Sequence, residues 1–359
     1  MEQQKKRLVY IDCLRGFSMI FVLYQHILTF SLDVPPSWFA EVVRSFRMPL
    51  FFFISGFVSY KAAFEWNISN FGKIQLKKLR GQLLPTIVMF SIFVALHGGH
   101  YTEWMFGREK TGYWFTLVSF EIFLTYCVIN MFFSKVKNKN IIMLVLGIMA
   151  IGISCVWYYL GNYENEYKGR WFEFFSLAYY ARYFIYFIAG IIVKSKIEVF
   201  HTWIENKYFN FVIFFLAFVL PIIFPDYNAV IIIFSRLWCI YTLFYTGRFF
   251  FERKDSFLSK GLSIIGTHTL EIYFLHYFLL FKLPLISQWL RTLLTDYCFK
   301  GHSAEWLMEI LVVGLIAIFL CFVCVGIKKV ISAFPVVSEL CFGPEKKENK
   351  SNDTKELNR

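Results

Sequence analysis

The sequence predicts an all-α protein, a polytopic membrane bundle of about ten transmembrane helices. Three observations predict it. Hydrophobic residues make up 57% of the 359-residue chain and the mean hydropathy is +0.52, which is too apolar for a soluble globular protein. Apolar runs long enough to cross a bilayer alternate with short charged or Gly/Pro-containing breaks. Lysine and arginine are concentrated in alternate breaks, as expected for loops on the cytoplasmic side.

Ten apolar runs mark the candidate spans. They lie near residues 10–31, 46–64, 82–98, 114–133, 141–160, 177–194, 208–224, 229–247, 265–283 and 306–327. We therefore treat residues 1–342 as one membrane domain. Residues 343–359 are charged and almost free of large apolar side chains, which predicts a disordered cytoplasmic tail.

Loop charge sets the predicted orientation. When the N-terminus is placed in the cytoplasm, the basic clusters at residues 5–7, 73–80 and 135–139 fall on that side, and the opposite loops hold few cations. The positive-inside rule then places both termini in the cytoplasm. A net charge of +12 would suggest a nucleic-acid partner in a soluble protein. Topology explains it here, so we expect the lipid bilayer and no nucleic acid as partner.

The first span carries Asp12, Arg15 and His26 within hydrocarbon. A charge there costs about 2.5–3.5 kcal/mol or more, so such residues are candidates for function. Arg15 and His26 are three helical turns apart and share one face, with about 16 Å between them along the axis. This layout suits a long ligand that is anionic at one end and reacts at the other. The alternative is that Arg15 reaches the headgroups beside Asp12 and that a neighbouring helix satisfies His26.

Two further segments show features of a binding site. Ser55-Gly56 in the second span is a small pair that lets a backbone or a ligand approach closely, although helix packing alone would explain it. Lys77 and Arg80 share a helical face in the loop that follows and could bind phosphates. The alternative is the ordinary basic character of a cytoplasmic loop.

Other ionisable residues fall inside predicted spans. Mutual pairing within the bundle is the simple explanation for all of them. His276 is the best candidate for contact with substrate, because Glu271 and Tyr273 on the same helix could seat it. The full set is Glu121, Arg182, Arg236, Glu271 and His276.

No metal site is expected. His97 and His100 have ligand-like spacing, but two glycines separate them and no acid or cysteine set accompanies them. Cys321 and Cys324 also have metal-like spacing, yet they lie in the middle of an apolar helix, where cysteine behaves as a small hydrophobe.

These segments together resemble the acyltransferase 3 family of integral membrane proteins, which O-acetylate cell-surface sugars. The motifs are Asp12-x-Leu14-Arg15-Gly16 with Arg15-x10-His26, PLFFFISGF from Pro49 to Phe57, Lys77/Arg80 before Leu84-Pro85, and the segments Arg182 to Gly190 and Leu270 to His276. The chain departs from the family at one position, since Lys77 stands where the family usually has arginine.

The resemblance implies a donor, a site and a location. Acyl-CoA, most simply acetyl-CoA, would donate from the cytoplasmic side, with Arg15, Lys77 and Arg80 holding its phosphates. His26 would be the general base, and Ser55, His276 and Glu271 would bind substrate. The acceptor would be a hydroxyl of a surface polysaccharide or a lipid-linked glycan precursor, at the inner membrane of a bacterium. The sequence does not name the donors for the oxyanion.

Two other classes of function remain open at this point. A secondary transporter for a sugar or organic anion would also carry intramembrane Arg, His and Glu residues. The chain shows no internal repeat and no matched pair of interrupted helices. A non-catalytic membrane partner of a polysaccharide machine is the third possibility, and the Arg15/His26 pair favours the enzyme over it.

Overall fold

The computed structural model describes residues 8–33, 37–98, 100–107, 109–161, 169–206, 208, 212, 229–251, 256–297 and 305–344. Regular structure in these ranges is helical, with no strand, which confirms the all-α prediction. The helices are α1 (Val9–His26), α2 (Trp38–Ser59), α3 (Ile68–Lys78), α4 (Leu84–His97), α5 (Tyr101–Phe106), α6 (Trp114–Phe132), α7 (Lys139–Gly161), α8 (Arg170–Phe174), α9 (Leu177–Ser195), α10 (Ile197–Glu205), α11 (Ala229–Phe251), α12 (Phe257–Thr267), α13 (Thr269–Leu275), α14 (Pro284–Tyr297), α15 (Glu305–Ile331) and α16 (Pro335–Phe342). A π-helical segment, Ile27–Leu32, extends α1, and another, Leu79–Leu83, joins α3 to α4.

Seven helical stretches of the described chain are long and apolar enough to cross a membrane. They are Val9–Leu32, Phe39–Ser59, Ile68–His97, Trp114–Phe132, Lys139–Trp157, Leu177–Ser195 and Leu307–Ile331. These stretches match the first six predicted spans and the tenth, and they confirm a multi-pass membrane bundle. The count of ten and the cytoplasmic position of both termini stay predictions.

The remaining predicted spans have different outcomes. The seventh, 208–224, lies outside the described residues except at positions 208 and 212. The eighth, 229–247, is helical as α11 but is not among the seven. The predicted tail, 343–359, lies outside the described residues from position 345 onward. The ninth, 265–283, is not one continuous helix.

The break in the ninth predicted span occurs at His268. The Thr267 hydroxyl donates to the Ile264 carbonyl at 2.9 Å, and His268 Nδ1 lies 2.8 Å from the same oxygen. The His268 amide bonds Ile265 instead, so side chains have taken the acceptor that a continuing helix would use. The chain resumes as α13 and then as a short 3-10 turn, His276–Leu279. Such backbone is tolerated at membrane depth when it is buried in protein.

Glycines bring α1 and α12 into backbone contact. A Cβ on Gly16 would lie 2.1 Å from the Leu262 carbonyl oxygen, and one on Gly266 would lie 1.8 Å from that of Asp12. Small residues allow this close approach between membrane helices. Because α13 follows α12 directly, this crossing places α13 beside the C-terminal part of α1.

A second close crossing joins α2 and α9. A Cβ on Gly56 would lie 1.9 Å from the Phe187 carbonyl oxygen, and one on Gly190 would lie 2.0 Å from that of Phe53. The packing explanation for Gly56 therefore holds. This crossing sets the spacing of α2 and α9, which form two walls of the cavity described next.

Candidate active site

A cavity of about 1250 Å³ runs between α1, α2, α3, α4, α6, α9 and α13. On α1 it is lined by one helical stripe, Arg15, Met19, Val22, Gln25, His26, Thr29 and Phe30. On α2 it is lined by a second stripe, Arg44, Arg47, Met48, Phe51, Ile54, Ser55, Val58 and Ser59. Arg15 and His26 thus share a cavity-facing stripe, as their spacing predicts, and Ser55 faces the same space.

The centre of the site is a pair of histidines. His26 Nδ1 lies 2.9 Å from His276 Nε2, and His276 Nδ1 lies 3.1 Å from the Ile272 carbonyl oxygen. A carbonyl only accepts, so in the neutral ring His276 Nδ1 carries the hydrogen and Nε2 accepts. His26 Nδ1 must then donate. This network assigns the lone pair of His26 to Nε2, the atom a general base would use.

His276 lies behind His26 rather than in the cavity wall. It is fully buried, and its ring centroid lies 4.0 Å from that of Tyr277. Glu271 also lies outside the lining residues, whereas Tyr273 and Tyr277 belong to them. His276 is therefore placed to orient His26, and the tyrosines from the same segment face the space where substrate would lie.

One end of the cavity is basic. Lys61, Lys77 and Lys78 line it there, and Arg15 lies one step deeper, where its Nη2 donates to the Thr269 hydroxyl at 2.9 Å. Arg80 is exposed and is not a lining residue. Three lysines at this mouth can interact with a polyphosphate as separate point charges.

The loop before α6 lines the opposite end. Lys110, Thr111 and Gly112 have φ of 43°, 52° and 93°, three consecutive left-handed residues. Gly112 is required by contact as well, because a Cβ there would lie 1.6 Å from the Tyr277 hydroxyl oxygen. The Tyr273 hydroxyl donates to the Gly112 carbonyl at 2.6 Å, so the loop is attached to the segment that carries His276.

Lys110 holds this loop against the start of α9. Its Nζ donates to the Glu173 carbonyl at 2.7 Å and to the Ser176 hydroxyl at 2.9 Å. Burial lowers the pKa of Lys110 to about 8, although the nearby Glu121 and Glu173 side chains act to raise this pKa.

Within the described residues, no group of three or more His, Cys, Asp or Glu side chains could hold a metal ion.

Most of the chain matches one family of known proteins. A family model described as an acyltransferase domain, Acyl_transf_3, matches residues 8–326. The chain belongs to the acyltransferase 3 family. The match covers the whole of the cavity, from α1 to α15, so the resemblance in the motifs is confirmed.

The curated relatives of this acyltransferase 3 protein are distant. It is 23% identical over 248 residues to proteins named "Glucans biosynthesis protein C" from Salmonella schwarzengrund, Salmonella typhi and Salmonella typhimurium. The alignment covers 61% of this chain, and the chain spans 59% of the length of each relative. No solved structure matches.

The acyltransferase 3 cavity contains a residue that the sequence did not single out. Arg47 counts as a loop charge when the second span is taken to begin near residue 46, but α2 begins at Trp38. Arg47 consequently lies inside the bundle, beside Val22 on the α1 stripe. The signal in the sequence was an arginine directly before the apolar run that starts at Met48.

Glu309 is the second residue that the sequence reading of this acyltransferase 3 protein missed. It is fully buried near the start of α15. The Tyr24 hydroxyl and the Ser37 hydroxyl both donate to its Oε1, the latter at 2.8 Å. Tyr24 is two residues before His26, so this carboxyl ties the end of α1 to the start of α2. The signal in the sequence was Glu309 itself, an acidic residue within an apolar run.

Proposed function

We propose that this acyltransferase 3 protein moves an acyl group, most simply acetyl, from acyl-CoA to a hydroxyl of a cell-surface polysaccharide or a lipid-linked glycan precursor. The observation that carries the proposal is one cavity with a basic mouth and a histidine deep inside whose Nε2 is available. We place the protein in the inner membrane of a bacterium, with acyl-CoA as a substrate and no metal in the mechanism.

The cavity suits a donor with coenzyme A's distribution of charge. The phosphates would lie at the mouth, against Lys61, Lys77 and Lys78. Arg15 would contact the phosphate that lies deepest in the cavity. The pantetheine arm would then pass along the α1 stripe, whose members Met19 and Val22 are apolar. The thioester would reach His26, about 16 Å further along the axis of α1 than Arg15.

His26 performs the proton transfer in this proposal. Its Nε2 removes the proton from the acceptor hydroxyl as the oxygen attacks the thioester carbonyl. The bond from His26 Nδ1 to His276 holds the ring in the required tautomer and stabilises the imidazolium that forms, and the Ile272 carbonyl anchors His276 in turn. His276 therefore acts as a positioning residue.

The acceptor would enter from the opposite end, past Arg44, Trp104 and Glu109. A glycan hydroxyl fits this end because the wall there is mixed, with aromatic, cationic and carboxylate side chains. The name of the Salmonella relatives refers to glucan biosynthesis, and this supports a glycan as the acceptor class.

The test uses the purified full-length protein in lipid nanodiscs with radiolabelled acetyl-CoA and a panel of glucan acceptors. Release of free CoA and transfer of label to acceptor are expected, and His26→Ala should reduce the rate by about 10²–10⁴. His100→Ala is the matched control, because His100 is exposed and outside the lining. An inserted, folded His26→Ala variant with wild-type activity would remove His26 from the mechanism. Sugar uptake into proteoliposomes without thioester cleavage would instead indicate a transporter.

A second measurement tests the side from which the donor enters. A single cysteine is introduced at exposed Glu103, on α5 before α6, or at exposed Lys137, in the loop after α6, in a background from which the 8 native cysteines have been removed. The positive-inside rule predicts labelling of the Glu103→Cys variant from outside and of the Lys137→Cys variant from the cytoplasm. The reverse pattern would invert the topology and place the basic mouth outside, away from acyl-CoA.

A further inference from the structure

Arg47 lies between the basic mouth and His26. The Ser18 hydroxyl donates to the Arg47 carbonyl oxygen at 2.8 Å, and Arg47 Nη1 donates to the Val22 carbonyl at 3.4 Å. Val22 is one helical turn before His26, so its carbonyl is the one that accepts the amide of His26 in the helix. The guanidinium therefore lies about one turn from the proposed base, on the side from which the donor would arrive.

The guanidinium of Arg47 is largely unsatisfied. It has five N–H donors. Within the described part of the chain it makes the single long bond to Val22, and its Nε is buried without a partner. The groups that interact with it electrostatically are Tyr183, Tyr277 and Arg44, together with the two histidines of the site, and none is a carboxylate.

A structural role does not account for this arrangement. A cation without a counter-charge inside a membrane bundle is costly. One hydrogen bond at 3.4 Å offsets little of the cost of this charge, and a neutral side chain could pack against Val22 equally well. Arg47 nonetheless lines the cavity, next to Met48 and across from the α1 stripe. The free donors thus face a space that is large enough for substrate.

We propose that Arg47 is the oxyanion donor of acyl transfer, its guanidinium hydrogen-bonding the carbonyl oxygen of the thioester as negative charge develops there. This inference rests on the proposed function, because it requires a thioester beside His26. It names the group that the sequence leaves unidentified. A preorganised cation aimed at the atom on which negative charge develops is suited to stabilise that charge.

The step balances without a further reactant. The acceptor O–H proton passes to His26 Nε2 while the oxygen forms a bond to the thioester carbon, and the C=O π pair moves onto the oxygen that faces Arg47. The C=O bond then reforms and the C–S bond breaks. The leaving thiolate takes the proton from the His26 imidazolium, giving the ester and free CoA. Arg47 keeps its proton throughout.

The test separates transition-state stabilisation from binding and from folding. Arg47→Gln, Arg47→Lys and Arg47→Ala are assayed in nanodiscs with saturating acetyl-CoA, and donor affinity is measured with an S-ethyl thioether of CoA, which has no carbonyl. Ser18→Ala is the matched control, because the Ser18 hydroxyl bonds the Arg47 backbone carbonyl and not the guanidinium, and Ser18 does not line the cavity. Thermal melts of each variant report on folding.

We expect Arg47→Gln to lower kcat by about 10²–10³ with thioether affinity within about threefold of wild type. Arg47→Lys should retain part of the rate, and methylguanidinium should restore activity to Arg47→Ala but not to His26→Ala. The inference is overturned if Arg47→Gln keeps kcat within about fivefold, if only donor affinity falls, or if Ser18→Ala reproduces the loss. Wild-type protein that cleaves no acyl-CoA would instead refute the proposed function.

Discussion

His26 and His276, which are 250 positions apart in the chain, are joined ring to ring by a hydrogen bond of 2.9 Å. The His276 ring is fully buried, whereas that of His26 reaches the cavity. The pair therefore has an inner member that cannot meet substrate and an outer member that can. Their roles in catalysis should differ accordingly.

Replacing His276 tests this division of roles. His276→Gln can still present an oxygen acceptor to His26 Nδ1, whereas His276→Leu cannot. We expect His276→Leu to lower kcat by about 10-fold or more and to change the pH–rate profile, and His276→Gln to recover much of the loss. Donor affinity should change little in either variant. Equal activity in His276→Leu and wild type, across the pH range, would show that the hydrogen bond does not orient the base.

Replacing the cations of the mouth should weaken donor binding more than the chemical step. Arg15→Ala and Lys77→Ala are expected to raise the Kd for acetyl-CoA, with an effect that shrinks as salt is added, because phosphate contacts are screened. Lys77→Arg should preserve or improve binding, since arginine offers a fork to phosphate. Lys73→Ala is the control, because Lys73 lies on α3 with Lys77 but does not line the cavity. Unchanged affinity in Arg15→Ala would return Arg15 to a role in anchoring the helix.

Gly56→Ala should destabilise the bundle. The added methyl carbon would lie 1.9 Å from the Phe187 carbonyl oxygen, a backbone atom that cannot move without shifting α9. Overpacking of this kind costs about 1–3 kcal/mol, and we expect a lower melting temperature in nanodiscs. Gly152→Ala is the control, because no atom lies within 4 Å of the new methyl carbon. An unchanged melting temperature for Gly56→Ala would mean that α2 and α9 are less tightly packed than the structure shows.

The stability of the loop that holds Lys110 should depend on pH. The pKa of Lys110 falls from its ordinary 10.5 to about 8 in the folded protein because the side chain is buried. Between these values the unfolded chain binds more protons than the folded one, so the free energy of unfolding from this group rises with pH. Lys110→Met should remove that rise, whereas exposed Lys137→Met should keep it. Thermal melts from pH 7 to pH 10 measure it. Identical slopes in wild type and Lys110→Met would contradict the prediction.

Hydropathy and helical spacing are enough to predict the class of the protein and one face of the site. Hydropathy is a local property, so the apolar runs predicted a helical membrane bundle that the structure confirms, with seven stretches of the described residues able to cross a membrane. The spacing of Arg15 and His26 is set by the helical repeat, and it predicted a common stripe that faces the cavity. The motifs on these runs indicated the family that the comparison then confirmed.

Which residues meet that stripe depends on how the helices pack against one another. The contact between His26 and His276 depends on the close crossing of Gly16 with α12 and on the break at His268, where Thr267 and His268 compete for one carbonyl. Arg47 is deep because α2 starts at Trp38, ten residues before the apolar run at Met48, and hydropathy does not mark the turns that carry Glu41, Arg44 and Arg47 as part of a span. Packing between helices far apart in sequence depends on shape and on buried polar partners. Local periodicity carries neither, and so the pairs of the site emerge only when the helices are assembled.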